Sequence, residues 1–401
     1  MSQSIQLYNQ LVKNKLFNKS INFDLRRIKL VLSKLGHPER KLKNVINVIG
    51  SDGKYSLLTA LKFFIEASNK ETSAYISPSI KDIRERFWMG KRFLSYKEII
   101  NTIKIIEKYK VNLTVFEVLT VIYVINAAKE NNDYNLVEAG ALFAKDSTNI
   151  FDFPKMQIVV NINKQHLNFV KRKTLNEIIK QKVGSLSNYS NIYVGKQRSN
   201  VLRKIKGLLK NNNSKINYSN SWKLVKIKKN FYYKDDKNKI MINSKSINSK
   251  GLMENLCLAI KIALDLNIKS NLIKQTIPKI KFQARIEYLT KGRLINRINK
   301  NEKFLIDGCH SEVSAKNLAN YLNTTNLPIY GIWGMTKNKN PDKFLKQFNG
   351  IFKKIITIPI ENETAALSND FLLNIAKKNN YSSETAKNIY EAIKKISSKE
   401  K

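Results

Sequence analysis

Cysteine occurs only twice, at Cys257 and Cys309, too few and too far apart for a disulfide framework or a cysteine zinc cluster, and this fits a reducing compartment. No run is long and apolar enough to span a bilayer. The opening MSQSIQLYNQLVKNKLF has no apolar core followed by a small-residue cleavage site, so an unexported, cytoplasmic protein with no membrane partner is predicted. Neither an internal repeat nor a low-complexity linker interrupts the chain beyond its lysine bias. Acidic residues are also scarce, 31 against 72 Lys and Arg, for a net charge of +41. That excess raises nucleic acid as a partner. The lysines, however, are spread over nearly every segment together with Asn and Ile, whose codons are AT-rich, and they form no single aromatic-interleaved basic face. A biased genome accounts for them, and no nucleic-acid partner is predicted. A basic surface still attracts small anionic substrates.

The 401 residues are 42% hydrophobic, enough to bury a large core, and the length favours two or three domains, of which two are taken here. Leu25, Ile28, Leu32 and Leu35 recur at helical spacing, so a helix is predicted from Ser20 to Pro38, stopped by Gly36. The β-rich run Val45–Ile49 then leads through GSDGKYS into a helical run from Ser56 to Ala67. Short β-rich runs at Leu136–Glu138 and Gln157–Ile162 alternate with helical segments, the pattern of a largely parallel sheet covered by helices. The polar, aromatic segment Asn211–Ser249 reads as hairpins or an exposed excursion, and helix returns at Gly251–Leu266. Strands are predicted at Leu294–Ile298 and Phe304–Ile306. A second α/β unit follows, with helix Ser314–Leu322, strand Ile329–Trp333, helix Asp342–Phe348, strand Lys354–Ile358 and a final helix through Ile396. The domain boundary is placed near Arg285, giving domains of residues 1–285 and 286–401.

Gly50, Ser51, Asp52, Gly53, Lys54, Tyr55 and Ser56 lie where a phosphate loop belongs, between a buried strand and a helix N-terminus whose amides attract anions. The spacing is not that of the common Walker loop, because the glycines stand closer and Ser56 comes one residue later. An ordinary turn with a solvated lysine is the alternative on these residues alone.

The loop resembles the GTNGKGS of the dihydrofolate synthase/folylpolyglutamate synthase family, and Leu35-Gly36-His37-Pro38 resembles the LGnP that precedes it. Further pieces arrive in order: Tyr75-Ile76-Ser77-Pro78 with Arg84-Glu85-Arg86 (TSPHL…RER), Thr114, Phe116, Glu117 and Thr120 (TxFExxT), and Glu138 to Asn149 (EVGLGGRLDATN). His166 matches the family's DH, Lys182 the lysine of EKAGI, Asn255 an NA helix, Arg285 GRxE, and Asp307-Gly308-Cys309-His310 DGAH. All three histidines of the chain fall inside such blocks.

The resemblance implies an α/β chain in which a P-loop, Mur-ligase-like ATP-binding domain with a mostly parallel sheet precedes a smaller, Rossmann-like C-terminal domain. It implies an ATP-dependent ligase that activates the carboxylate of dihydropteroate or a folate as an acyl phosphate and joins it to the amine of L-glutamate. ATP and two Mg2+ sites are the expected cofactors, and a monomer is expected. Lys54 and the loop amides would hold the phosphates, with Ser56 near magnesium. Ser77 and Glu138 would serve the first metal and His166 the second. Lys182 matches a lysine that the family carbamylates. Asn255, Arg285, Asp307 and His310 would contact ATP, the last two from the second domain.

Departures from the motifs are Asp52 for Asn, Tyr55 for Gly, Ser79 for His, Leu142-Phe143-Ala144 for Gly-Gly-Arg, Gln165 for Asp, Gln181 for Glu, Ala284 for Gly, Ser311 for Asn and Glu312 for Pro. Two other readings stand beside the leading one: a diverged Mur-like ligase for another carboxylic acid, and a non-catalytic basic binding protein on the same fold.

Overall fold

The computed structural model describes residues 3–18, 22–242, 247, 249–337, 339–361, 363 and 365–398. The chain divides into two compact units, Met1–Lys245 with Leu252–Ile280, and Ser246–Gly251 with Lys281–Lys401.

The first unit is built on an eight-stranded sheet in the order Ile216–Tyr218, Asn191–Val194, Met156–Val159, Val45–Ile49, Tyr134–Glu138, Thr72–Tyr75, Phe87–Met89, Arg92–Phe93. Pairing is parallel from the first of these through Thr72–Tyr75, and only the last two strands run antiparallel. Val45–Ile49 lies near the middle with all of its residues buried, as a central parallel strand of β-branched residues requires. Helix Val115–Glu130 packs beneath the sheet. It is apolar on almost every face and starts at a capping box in which Thr114 and Glu117 satisfy each other's amides.

The first predicted helix is shorter than expected. It runs over Leu25–Lys34, because the Asp24 carboxylate accepts the Arg26 amide at 2.9 Å and caps it there. Ser20, the predicted start, lies outside the described residues. Within Asn211–Ser249 the hairpin expectation holds for the antiparallel meander Lys223–Ile227, Asn230–Lys234, Lys239–Ile242. Ile216–Tyr218 instead extends the main sheet, and the end of the segment falls partly outside the described residues.

In the second unit a parallel three-stranded sheet, Ile329–Trp333, Phe352–Thr357 and Ser383–Thr385, is accompanied by the helices Glu312–Leu322, Asn369–Lys378 and Ile389–Ile396. Two expectations are corrected here. Leu294–Ile298 is no strand: Ile295–Arg297 forms a short 3-10 turn, and Phe304–Ile306 pairs with Glu287–Leu289 instead. The final helix is two helices separated by the strand Ser383–Thr385, which pairs in parallel with Ile355–Thr357.

Candidate functional site

The strand Val45–Ile49 delivers the chain into the loop, and the helix beyond it begins at Lys54, two residues before the predicted start. Gly53 is the turning point, with φ of +93°, a conformation that costs a side-chain-bearing residue dearly. Tyr55 therefore sits inside the first helical turn, where no positive φ is needed, and its replacement of a glycine meets no backbone obstacle. Gly50, at φ +149°, presses against the end of Met156–Val159, where a β carbon would lie 3.1 Å from the carbonyl oxygens of Val160 and Asn161.

Lys54 folds back over its own loop, donating to the carbonyls of Ser51 at 3.2 Å and Gly50 at 3.4 Å, with its ammonium 3.9 Å from Glu138 Oε1. Glu138 ends the neighbouring strand, in register with Val48, and parallel pairing is what brings this carboxylate to the loop. It is buried, at 3% exposure, and its other oxygen accepts the Ser77 amide at 3.2 Å. Asn255, from helix Lys250–Asp265, donates to the Ser56 hydroxyl at 2.9 Å and to the Gly53 carbonyl at 3.3 Å. The Ser56 hydroxyl in turn donates to Gly53 O at 3.0 Å. The Ser51 amide is already spent on the Asn161 carbonyl at 2.8 Å.

Lys182 is the residue whose position the sequence disguised. Its helix, Leu175–Val183, buries the ammonium almost completely, at 1% exposure, where it donates to Ala141 O at 2.6 Å and Gly50 O at 2.7 Å. Burial, reinforced by the charge of Lys54, pushes its pKa down to about 7, against the opposing pull of Asp146 and Asp52. Asp146 was assigned no role from sequence, yet its carboxylate is buried, accepts the Thr148 hydroxyl at 2.6 Å and amide at 3.1 Å, and has its pKa raised by that burial. The signal was an Asp followed two residues later by Thr, an Asx-type turn. Asp52 accepts from Gln165 and Asn163, and the chain then turns at His166, whose ring stacks on Phe169 with centroids 6.0 Å apart. Asn163 was missed, because nothing local distinguishes one asparagine among many.

Arg285, Asp307 and His310 lie in the second unit. Arg285 is flanked by left-handed residues, Ala284 at φ +49° and Ile286 at φ +52°. The carboxylate of Asp307 accepts the Ile286 and Cys309 amides, both at 2.8 Å, and burial raises its pKa in spite of them and of the Arg285 charge. The His310 ring pairs its Nδ1 with the Gly308 carbonyl at 3.0 Å and is exposed.

Among the described residues there is no group of three or more His, Cys, Asp and Glu arranged to hold a metal, and no helix long and apolar enough to cross a membrane. The oxygen donors beside the loop are instead sparse, the Glu138 carboxylate and the Ser56 hydroxyl, with Ser77 joined to Glu138 through its amide. Such a set suits a hard ion that completes its shell with water and phosphate.

No family model matches the chain. A strand–phosphate-loop–helix with a carboxylate on the adjacent strand tip, followed by a smaller α/β unit, defines a Mur-ligase-like architecture. The particular likeness is to dihydrofolate synthase/folylpolyglutamate synthase, in sequence and in fold. The folylpolyglutamate synthase of Lacticaseibacillus casei is 21% identical over 366 residues, 86% of this chain and 83% of that protein. E. coli FolC in complex with DHPP and ADP superposes with a TM-score of 0.84 at 18% identity, covering 98% of this chain and 91% of that one. A bifunctional folylpolyglutamate synthase/dihydrofolate synthase with Mn, AMPPNP and L-glutamate bound gives a TM-score of 0.82 at 17% identity, over 98% and 92%.

Proposed function

We propose that this chain is a cytoplasmic, monomeric ATP-dependent ligase that adds L-glutamate to dihydropteroate or to folates through an acyl phosphate. The observation that carries the reading is the placement of Lys54. A phosphate-loop ammonium is held 3.9 Å from a buried carboxylate at the tip of the adjacent strand, in a chain matched along most of its length by a folylpolyglutamate synthase. In this reading the first unit, Met1–Lys245 with Leu252–Ile280, supplies the ATP-binding domain and the second, Ser246–Gly251 with Lys281–Lys401, the C-terminal ligase domain, so that Arg285 falls in the second rather than at the end of the first.

Lys54 and the backbone of the 50–54 loop would bind the phosphates of ATP, the lysine as a point charge whose attraction grows as the γ-phosphoryl is transferred. Glu138, Ser56 and Ser77 would hold one Mg2+ and His166 a second, and magnesium would supply neutralisation of phosphate charge. Asn255 keeps the loop and the first helical turn in one geometry. Lys182, neutral in part at physiological pH because of its depressed pKa, is suited to carbamylation, which needs the free amine and would convert a buried cation into an anion. The assignment of Arg285, Asp307 and His310 to ATP rests on the resemblance of their motifs.

One observation favours a second reading, a ligase for a different acid. Leu142 and Phe143, which replace two glycines of the family block, are buried in the apolar cluster beneath Lys182, and Ala144 replaces its arginine. Product analysis decides between them. Purified protein with ATP, Mg2+, glutamate and either dihydropteroate or a reduced folate should release one ADP per amide formed. ATP turnover only with some other carboxylic acid would displace the folate reading.

A further inference from the structure

Two departures from the family motifs, Asp52 for Asn and Gln165 for Asp, meet in space. Gln165 Nε2 donates to Asp52 Oδ1 at 2.9 Å and to Oδ2 at 3.0 Å, and Asn163 Nδ2 donates to Oδ2 as well. The same two segments are joined by Ser51, whose amide donates to Asn161 O at 2.8 Å and whose hydroxyl accepts the Asn163 amide at 3.1 Å. The phosphate loop and the strand-end loop that leads to His166 are thus zipped together over neighbouring residues. Asp52 and Gln165 supply the charged part of the zipper.

We infer that Asp52 and Gln165 are a transposed carboxylate–amide pair that positions the nucleotide loop against the turn at His166. The inference rests on the nucleotide-binding reading given above. The physical reason is that one carboxylate and one amide across this gap form a charge-assisted bond, while the matched combinations lose it for different reasons. Two carboxylates would face each other at hydrogen-bond distance and repel. Two amides would keep at most a neutral bond in place of a charge-assisted one. The amide donors also answer an electrostatic difficulty, since a carboxylate in a phosphate loop opposes the ligand's charge. With two amides donating to it, the Asp52 carboxylate is held sideways on the 161–165 loop.

The transposition makes a test possible that no single substitution offers. Asp52→Asn, Gln165→Asp and the double variant are compared in the full chain by ADP affinity, measured by calorimetry, and by urea unfolding. Gln165→Asp is expected to weaken ADP binding tenfold or more and to lower the urea midpoint. Asp52→Asn should weaken ADP binding severalfold. The double variant should recover to within about threefold of the parent in affinity, and its midpoint should return with it. Single effects that simply multiply in ADP affinity would overturn the positioning role, and multiplication in both measurements would overturn the pair itself. If Asp52→Asn alone tightened ADP binding, the carboxylate would be acting as a bare repulsive charge and the inference would fail. Failure of the ligase reading is seen separately, as an absence of glutamate-containing product while the ADP cycle stands; the urea cycle reads the pair even if ADP does not bind.

Discussion

Asn255 lies so close over Gly53 that a β carbon on residue 53 would overlap its side-chain nitrogen and come within 3.1 Å of its Cγ. The glycine is required twice, by its φ of +93° and by this contact, and the two demands are separable. Gly53→Ala is expected to destabilise the protein by about 2–4 kcal/mol, combining left-handed backbone cost with overpacking. Asn255→Ala alone should cost about 1–2 kcal/mol for the bonds to Ser56 and Gly53. In the double variant the overlap disappears while the backbone cost and the lost Asn255 bonds remain, so its unfolding free energy should exceed that of Gly53→Ala less the cost of Asn255→Ala. Strict additivity by urea denaturation would show that the overlap is of no consequence.

Removing the Lys54 ammonium takes away a cation 3.9 Å from the buried Glu138 carboxylate and, in the proposed ligase, a point charge from the phosphates. Lys54→Ala should lower turnover about 100-fold or more and weaken ADP binding, while the fold survives with a loss of about 1–3 kcal/mol. Glu138→Gln keeps the shape and removes the charge. Its turnover should fall yet recover in part at raised Mg2+, which Lys54→Ala should not do. Equal magnesium responses of the two variants in steady-state kinetics would contradict metal ligation by Glu138.

Lys182 binds its proton less tightly when folded, pKa about 7, than in an unfolded chain, where lysine keeps its ordinary value near 10.5. Between those values the unfolded state holds more protons, so stability rises with pH across that window, by up to about 1.4 kcal/mol per pH unit. Below about pH 7 both states are protonated, the slope vanishes, and the cost of burying the charge is fully present. Lys182→Met fills similar space without a charge and should flatten the rise. Urea midpoints of parent and variant at pH 7.5 and 9 provide the check, and parallel pH profiles would show that the lysine is solvated when folded.

Ala284 carries a φ of +49° where the family motif has glycine. Ala284→Gly should therefore raise stability by about 1 kcal/mol, in spite of the added freedom of the unfolded chain, and thermal unfolding would register it. A loss of stability would mean that the Ala284 methyl, 8% exposed overall, contributes more by packing than its backbone costs.

Local chemistry sufficed for several elements. Val45–Ile49, Phe304–Ile306 and Ile329–Trp333 have the bounds predicted for them, because a β-branched or aromatic run closed by a polar turn admits few alternatives. Leu294–Ile298 has a similar apolar spacing, but its 3-10 turn shows that a short run is decided by the partner it finds. The glycine turn between strand and helix was legible for the same reason as the strands: glycine at such a junction is a local requirement. What the loop is held by was not legible. Lys182 lies 132 residues from Gly50, Asn255 lies 199 from Ser56 and Gln165 lies 113 from Asp52, and no periodicity links such pairs. In sequence Lys182 is one lysine of a helix rich in them. Only the packing of Leu175–Val183 against the sheet removes it from water, and its depressed pKa follows from that burial. Residue types and order along the chain thus determined the strands and the glycine turn, while the ionisation of Lys182 and the partners of Asp52 and Gly53 were decided by tertiary contacts, because desolvation and hydrogen-bond geometry exist only once distant segments are brought together.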